Sequence, residues 1–198
     1  MNEKNRVQIF IEKASLASAR VIQVGSLTSA FEQTIGICRN KQPLDLQMGS
    51  PESFSENRRI LAAPNLNDEA FEELAQICRN TDDILLVREN MRDYPAGIDV
   101  GLTLADRGIA ETGTLVLDSQ AEDTRLASML SEIHVAILKE SDLRDSALDM
   151  VDELRAMMSP NSAYTAFITG PSRTADIERV LTIGVHGPLE LVIMLVEE

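Results

Sequence analysis

Three short stretches of this chain set glycine beside small hydroxyls or a single ionisable group, a combination suited to holding a small polar molecule. The first runs Gly108-Ile109-Ala110-Glu111-Thr112-Gly113-Thr114-Leu115-Val116-Leu117 and places Glu111 immediately ahead of an apolar segment. A carboxylate entering a buried strand is costly unless it is paired or used. Glu111 is either a general base or ligand to a substrate hydroxyl, with Thr112, Gly113 and Thr114 bordering the same ligand, or a capping residue satisfying local backbone N–H groups. The second, Phe167-Ile168-Thr169-Gly170-Pro171-Ser172-Arg173-Thr174-Ala175-Asp176-Ile177-Glu178, reads as a strand, a Gly-Pro turn and a helix start. Such a junction seats anions on free N–H groups, with Ser172 and Thr174 as added donors and Arg173 as a bidentate clamp. Ordinary capping by Ser172 or Thr174, with Asp176 and Glu178 in the first turn, is the competing account. The third, Gly184-Val185-His186-Gly187-Pro188, puts an imidazole in a tight turn where Gly187 permits close approach. His186 titrates near neutrality and can shuttle a proton, or its ring can simply bond a backbone carbonyl. His134, inside Ile133-His134-Val135-Ala136-Ile137-Leu138, reads as a core histidine or as a partner standing behind the site.

The elements that must position these groups alternate in type. Short apolar runs at Val21–Val24, Arg59–Ala63, Ile84–Val87, Thr114–Leu117, Val135–Leu138, Ala163–Ile168 and Leu189–Val196 read as strands buried on both faces. Helix patterns lie at Ser26–Arg39, Asn67–Arg79, Glu122–Leu130 and Ser141–Met158. This order predicts an α/β fold, a mainly parallel Rossmann-like sheet with helices on both faces. A first helix, within residues 1–18, precedes the first strand and is expected against the sheet edge, and residues 41–57, rich in Pro, Gly and Ser, are expected to form a surface loop. The 198 residues are taken as one domain. Phe31-Glu32 to Cys38-Arg39-Asn40 resembles Phe71-Glu72 to Cys78-Arg79-Asn80, as two helices docked on similar sheet surfaces would. The expected pocket lies at the strand ends, where open α/β sheets bind ligands.

Composition excludes several partners. A formal charge of −14 repels phosphate backbones, so nucleic acid is not expected. The longest apolar run, Leu191–Val196, is too short to span a bilayer, and the charged start Met1-Asn2-Glu3-Lys4-Asn5-Arg6 has no signal-peptide pattern. A cytoplasmic location without membrane insertion is the expectation. Cys38 and Cys78 are the only cysteines and have no metal-ligand or iron-sulfur spacing. No Gly-x-Gly-x-x-Gly dinucleotide fingerprint, P-loop or Gly-x-Ser-x-Gly elbow is present, and no carboxylate set compels a metal, so the cofactor is left unassigned.

Taken in order, Gly97-Ile98-Asp99-Val100-Gly101, Gly108 to Leu117, Arg125-Leu126-Ala127-Ser128, His134-Val135-Ala136, Gly170 to Glu178 and Gly184 to Pro188 resemble the LUD family of lactate-utilisation proteins, of the LutC or YkgG type. Ser131, where Pro is usual, and Leu189, where a basic residue often follows, depart from that pattern. The resemblance implies a fold similar to the NagB/RpiA/CoA transferase-like group and work with iron-sulfur partner proteins in oxidising L-lactate to pyruvate. On that reading Glu111 or His186 takes the hydroxyl proton, while Thr112, Gly113, Thr114, Gly170, Ser172, Arg173, Thr174 and Gly187 line the seat of a small anionic substrate. The alternative is a stand-alone transferase or ligase of the CoA transferase or formyltetrahydrofolate cyclo-ligase group, acting on a phosphorylated or CoA-linked small molecule.

Overall fold

The computed structural model describes residues 2–41, 58–94, 97–158, 164–175, 181–183 and 187–197, with the backbone alone for 174–175 and 181–183. Most of the expected loop over 41–57 lies outside them. The chain begins with α1 (Glu3–Leu16), whose N-terminus is capped by the Asn2 side chain accepting from the Asn5 N–H at 2.9 Å. β1 (Arg20–Val24) follows, then α2 (Leu27–Asn40) capped by Ser26, β2 (Arg59–Ala62), α3 (Asp68–Cys78) capped by Asn67, and β3 (Ile84–Val87). Asp68 and Glu69 in the first turn of α3 complement its dipole. Beyond these come β4 (Ile98–Leu104), β5 (Arg107–Ile109), β6 (Thr114–Asp118), α4 (Glu122–Leu130) and β7 (Ser131–Lys139). The rest is β8 (Leu143–Arg144), α5 (Val151–Met157), β9 (Thr165–Ile168), β10 (Arg173–Ala175), β11 (Leu181–Ile183) and β12 (Glu190–Val196).

Six strands form a wholly parallel sheet in the order β1-β12-β7-β4-β2-β3, flanked by helices on both faces as the sequence predicts. Side chains alternate faces along a strand, and both sets are apolar. Val192, Met194 and Val196 of β12 meet Val135 of β7 and Phe31, Cys38, Leu74 and Cys78 of α2 and α3 on one face. Leu191, Ile193 and Leu195 meet Ala136 and Leu138 on the other, against Phe10 of α1 and Leu115 of β6. The repeated Phe-to-Cys pattern is explained: α2 and α3 lie side by side over one core. Burial pushes the thiol of Cys38 up to about 12 and that of Cys78 up to about 11, which makes them packing groups.

Several expectations change. The runs at Thr114–Leu117 and Ala163–Ile168 do not join the parallel sheet. They form β6 and β9 of a second, four-stranded sheet ordered β8-β5-β6-β9, which covers the α1 face. The reason is the short connection between Ile109 and Thr114: a turn of that length allows antiparallel pairing, whereas a parallel pair needs a long crossover. The expected helix over Ser141–Met158 shrinks to α5, because Leu143–Arg144 pairs with β5 and Ser146 opens a new turn by a capping box with Asp149. The helix expected to start after Gly170-Pro171 does not begin among the described residues there: Arg173–Ala175 is extended and pairs antiparallel with Leu181–Ile183. The first helix lies across the sheet face at the β1 end, where Val7, Phe10 and Ala14 bury against it, not merely along the edge.

α4 packs so closely on β4 that a Cβ at Gly101 would collide with the Ala127 carbonyl oxygen, a backbone atom that cannot swing away. Gly36, mid-helix in α2, has open space around its missing Cβ. Denaturant unfolding is expected to show Gly101→Ala less stable by ~1–3 kcal/mol and Gly36→Ala more stable by ~0.5–1 kcal/mol.

Candidate binding site between the two sheets

β9 is the terminal strand of the small sheet, and between it, α4 and the opening residues of β12 lies a cavity of about 410 Å³. Consecutive residues Tyr164 to Ser172 all border it, which a strand achieves only by turning its unpaired edge toward the space. From α4 come Arg125, Ser128 and Met129; from the large sheet come His134 and Leu191; Gly187 and Pro188 close one side. The Ser172 N–H donates to the Pro188 carbonyl at 3.0 Å, fastening two of the glycine-bearing stretches together. The cavity overlies the N-terminal halves of β7 and β12 on the α1 face, and not the C-terminal strand ends where the sequence places it. The second sheet moves it: its free edge supplies one wall.

Arg125 is the charged residue in the described lining. Its guanidinium stacks on the Tyr164 ring at 4.7 Å, and Nη1 donates to the carbonyls of Ser119 at 2.6 Å and Gln120 at 2.7 Å. Nε and Nη2 have no hydrogen-bond partner among the described residues. Two donors of a planar fork are thus left for an anion. On the cavity floor His134, 1% exposed, pairs through Nε2 with Thr103 Oγ1 at 2.8 Å. Burial pulls its pKa down from 6.5 to about 4, so the ring is neutral near pH 7.

The sequence-derived residues divide. Gly170, Ser172 and Gly187 border the cavity. Thr112, Thr114 and Thr169 share a hydroxyl chain, each link 2.7 Å, and only its end at Thr169 borders the cavity. Glu111 is exposed and its Oε1 accepts from the Ala147 N–H at 3.1 Å, the capping alternative in geometric form. The exposed Arg173 guanidinium donates to the Ala17 carbonyl and to Ser18 Oγ at the end of α1. Gly113 and Gly170 hold φ of 66° and 75°, and the end of α1 lies against both, so that added Cβ atoms would strike Ala14 and Ala17. The His186 ring and the Thr174 side chain lie outside the described residues. Arg125 and Tyr164 go unread as site residues, since an arginine on a helix looks like solvated surface; its spacing to Ser128 on one face is the available signal. Among the described residues no group of three or more His, Cys, Asp or Glu could hold a metal ion, and no helix is long and apolar enough to cross a membrane.

A parallel α/β sheet with helices on both faces, an antiparallel sheet laid on one of them and a cavity at their junction defines a Rossmann-like protein with an accessory layer. The LUD domain model matches residues 7–196, and the chain belongs to that family. It is 35% identical over 115 residues to lactate utilization protein C of an Exiguobacterium species, covering 56% of this chain and 49% of that one. A 25% identity extends over 100% of this chain and 82% of the uncharacterized protein YkgG of Escherichia coli. The match spans about half the length of the lactate utilization protein C relatives in Exiguobacterium and Macrococcus caseolyticus. A crystal structure of a DUF162 family protein from Deinococcus radiodurans shares the fold, with a TM-score of 0.64 at 16% identity over 99% of both chains.

The depressed His134 pKa fixes a sign. Between about 4 and 6.5 the unfolded chain binds the proton that the folded chain refuses, so this group's contribution is complete above 6.5 and lost as pH falls toward 4. Unfolding free energy of the wild type relative to His134→Gln is expected to drop by about 2 kcal/mol from near pH 7 to near pH 5. Parallel pH profiles for the two proteins would refute the assignment.

Proposed function

We propose that this chain serves lactate utilisation in the cytoplasm as a subunit supporting oxidation of L-lactate to pyruvate, with electrons leaving through iron-sulfur partner proteins. The observation that carries this reading is the meeting of Gly170-Pro171-Ser172 with Gly187-Pro188 at a cavity whose described lining holds one cation, Arg125. One guanidinium facing a mainly apolar space suits an organic monoanion of that system. Family membership and the resemblance to lactate utilization protein C support the metabolic setting. Oxidation releases two electrons and two protons. A cluster takes four thiolates as a rule, and this chain has two buried cysteines, so the electron acceptor is assigned to the partners. Glu111 or His186 is the proposed acceptor of the hydroxyl proton.

The transferase or ligase reading draws less support. The hollow at the C-terminal ends of β4, β7 and β12 has Asp106 and Asp142 beside Arg107 and Lys139, and Arg107 is already paired with Glu153 and Asp142. That arrangement does not favour a phosphate.

Deleting the gene is expected to abolish growth on L-lactate while sparing growth on glucose, and the wild-type gene restores it. In the reconstituted system, His186→Ala or Glu111→Ala lowers lactate-dependent electron transfer on the order of a hundredfold if that residue takes the proton. Undiminished growth of the deletion strain on L-lactate sinks the metabolic role. Full activity of both variants removes the proton-transfer assignment alone.

A further inference from the structure

The cavity is several times larger than lactate and falls in the size range that encloses drug-sized ligands. Its described lining is mainly apolar, with hydroxyls from Ser128, Thr165, Thr169 and Ser172 along the wall and two nitrogen-bearing side chains at opposite places. At the rim is Arg125, on the ring of Tyr164, which is 59% exposed. At the floor is His134 of β7, 1% exposed, whose Nε2 is taken by Thr103. Its Nδ1 has no partner among the described residues, and the only sealed polar side-chain atom without one there is Ser131 Oγ. The Nδ1 atom therefore opens onto the cavity and is not sealed in packed protein. A buried nitrogen in that position requires a hydrogen-bonding group from whatever fills the space.

We propose that this cavity binds an organic monocarboxylate, larger than lactate, that carries an apolar body and a second, uncharged oxygen at its far end. Arg125 takes the carboxylate through Nε and Nη2, Met129, Ile168 and Leu191 enclose the body, and His134 Nδ1 bonds the distal carbonyl or hydroxyl. The orientation follows from charge. The guanidinium is the cation of the described lining, while the neutral imidazole on the floor suits an uncharged oxygen and gives an anion no counter-charge. One cation in the described lining, within a chain of net charge −14, also favours a singly charged ligand over a phosphate ester. The inference stands whether or not the chain serves lactate utilisation, since it concerns the occupant of the cavity and not the pathway.

The test is calorimetric titration of the whole chain with lactate, valerate, levulinate, methyl levulinate and methyl-ketone acids of increasing length. Levulinate should bind more than about tenfold tighter than its ester, as expected for charge-assisted bonds to Arg125. It should also bind about fivefold tighter than valerate, which lacks the distal oxygen. Affinity should climb by up to about fourfold per added methylene until the cavity is full. Arg125→Gln should erase the preference for acid over ester and keep the preference for the ketone; His134→Phe should do the reverse. If either variant fails to fold, the Nδ1 resonance of His134 in the wild-type chain still reports, and it should move on adding the ketone acid and not on adding valerate. Equal binding of acid and ester, no benefit from the ketone, lactate binding as tightly as the longer acids, or no binding at all overturns the proposal. Growth of the deletion strain on L-lactate is a separate readout, so failure of one reading is distinguishable from failure of the other.

Discussion

A parallel sheet exposes apolar side chains on both faces, and both must be covered. On one face α2 and α3 do so with a single continuous core. The other face is shared by α1, the small sheet and α4, three bodies of different shape that do not tile a surface without remainder. The remainder is the cavity. It lies where the last strand of the small sheet stops short of α4, and its floor is the part of β7 and β12 that neither covers. The site is thus a consequence of how the second face is roofed.

The roof is held by close backbone contacts. The turn before β6 and the turn after β9 are both pressed against the end of α1, with Gly113 over Ala14 and Gly170 over Ala17. Arg173 fastens the same helix end through the Ala17 carbonyl and the Ser18 hydroxyl. These contacts tie the turn that ends β9, itself a wall of the cavity, to the end of α1. Replacing any of these residues acts on the cavity through the position of its wall, which is a different effect from losing a ligand contact.

What could be read from the sequence follows from which residues respond to local constraints. β1, β2, β3 and β12 announce themselves as short apolar runs, α2 and α3 by period and caps and α4 by period, because those signals arise within the element. β4 does not: Asp99, Gly101 and Thr103 interrupt it, since Gly101 must admit the backbone of α4 and Thr103 must bond His134. β6 and β9 read correctly as strands but wrongly as members of the parallel sheet, since an apolar run carries no record of its partner's direction. The bonds that Glu111 makes to the Ala147 N–H and Arg173 to Ala17 and Ser18 leave no local signal, because those partners come from distant chain. Arg125 looks like surface until Tyr164, remote in sequence, closes over it.

The opposite end of the sheet from α2's N-terminus carries a second charge arrangement that bears on the same geometry. Lys41, its side chain 6% exposed, bridges Asp99 at 2.8 Å and Glu132 at 2.6 Å, joining the end of α2 to β4 and β7. Burial works against its charge, but hydrogen bonds to the two carboxylates outweigh this and hold its pKa above the usual value. Arg59 on β2 reaches both Asp99 and the Lys41 carbonyl, so one acid ties neighbouring strands. Glu132 lies two residues before His134, and its carbonyl accepts from the Leu189 N–H, the residue that follows Gly187-Pro188. The ion cluster therefore ends on the same peptide that fixes the cavity's Gly-Pro wall to β7. Removing one partner of such a cluster strands a buried charge, and the penalty exceeds what the intact pair contributes. The register of β7 against β12 at the cavity floor is accordingly anchored by charges that touch no ligand.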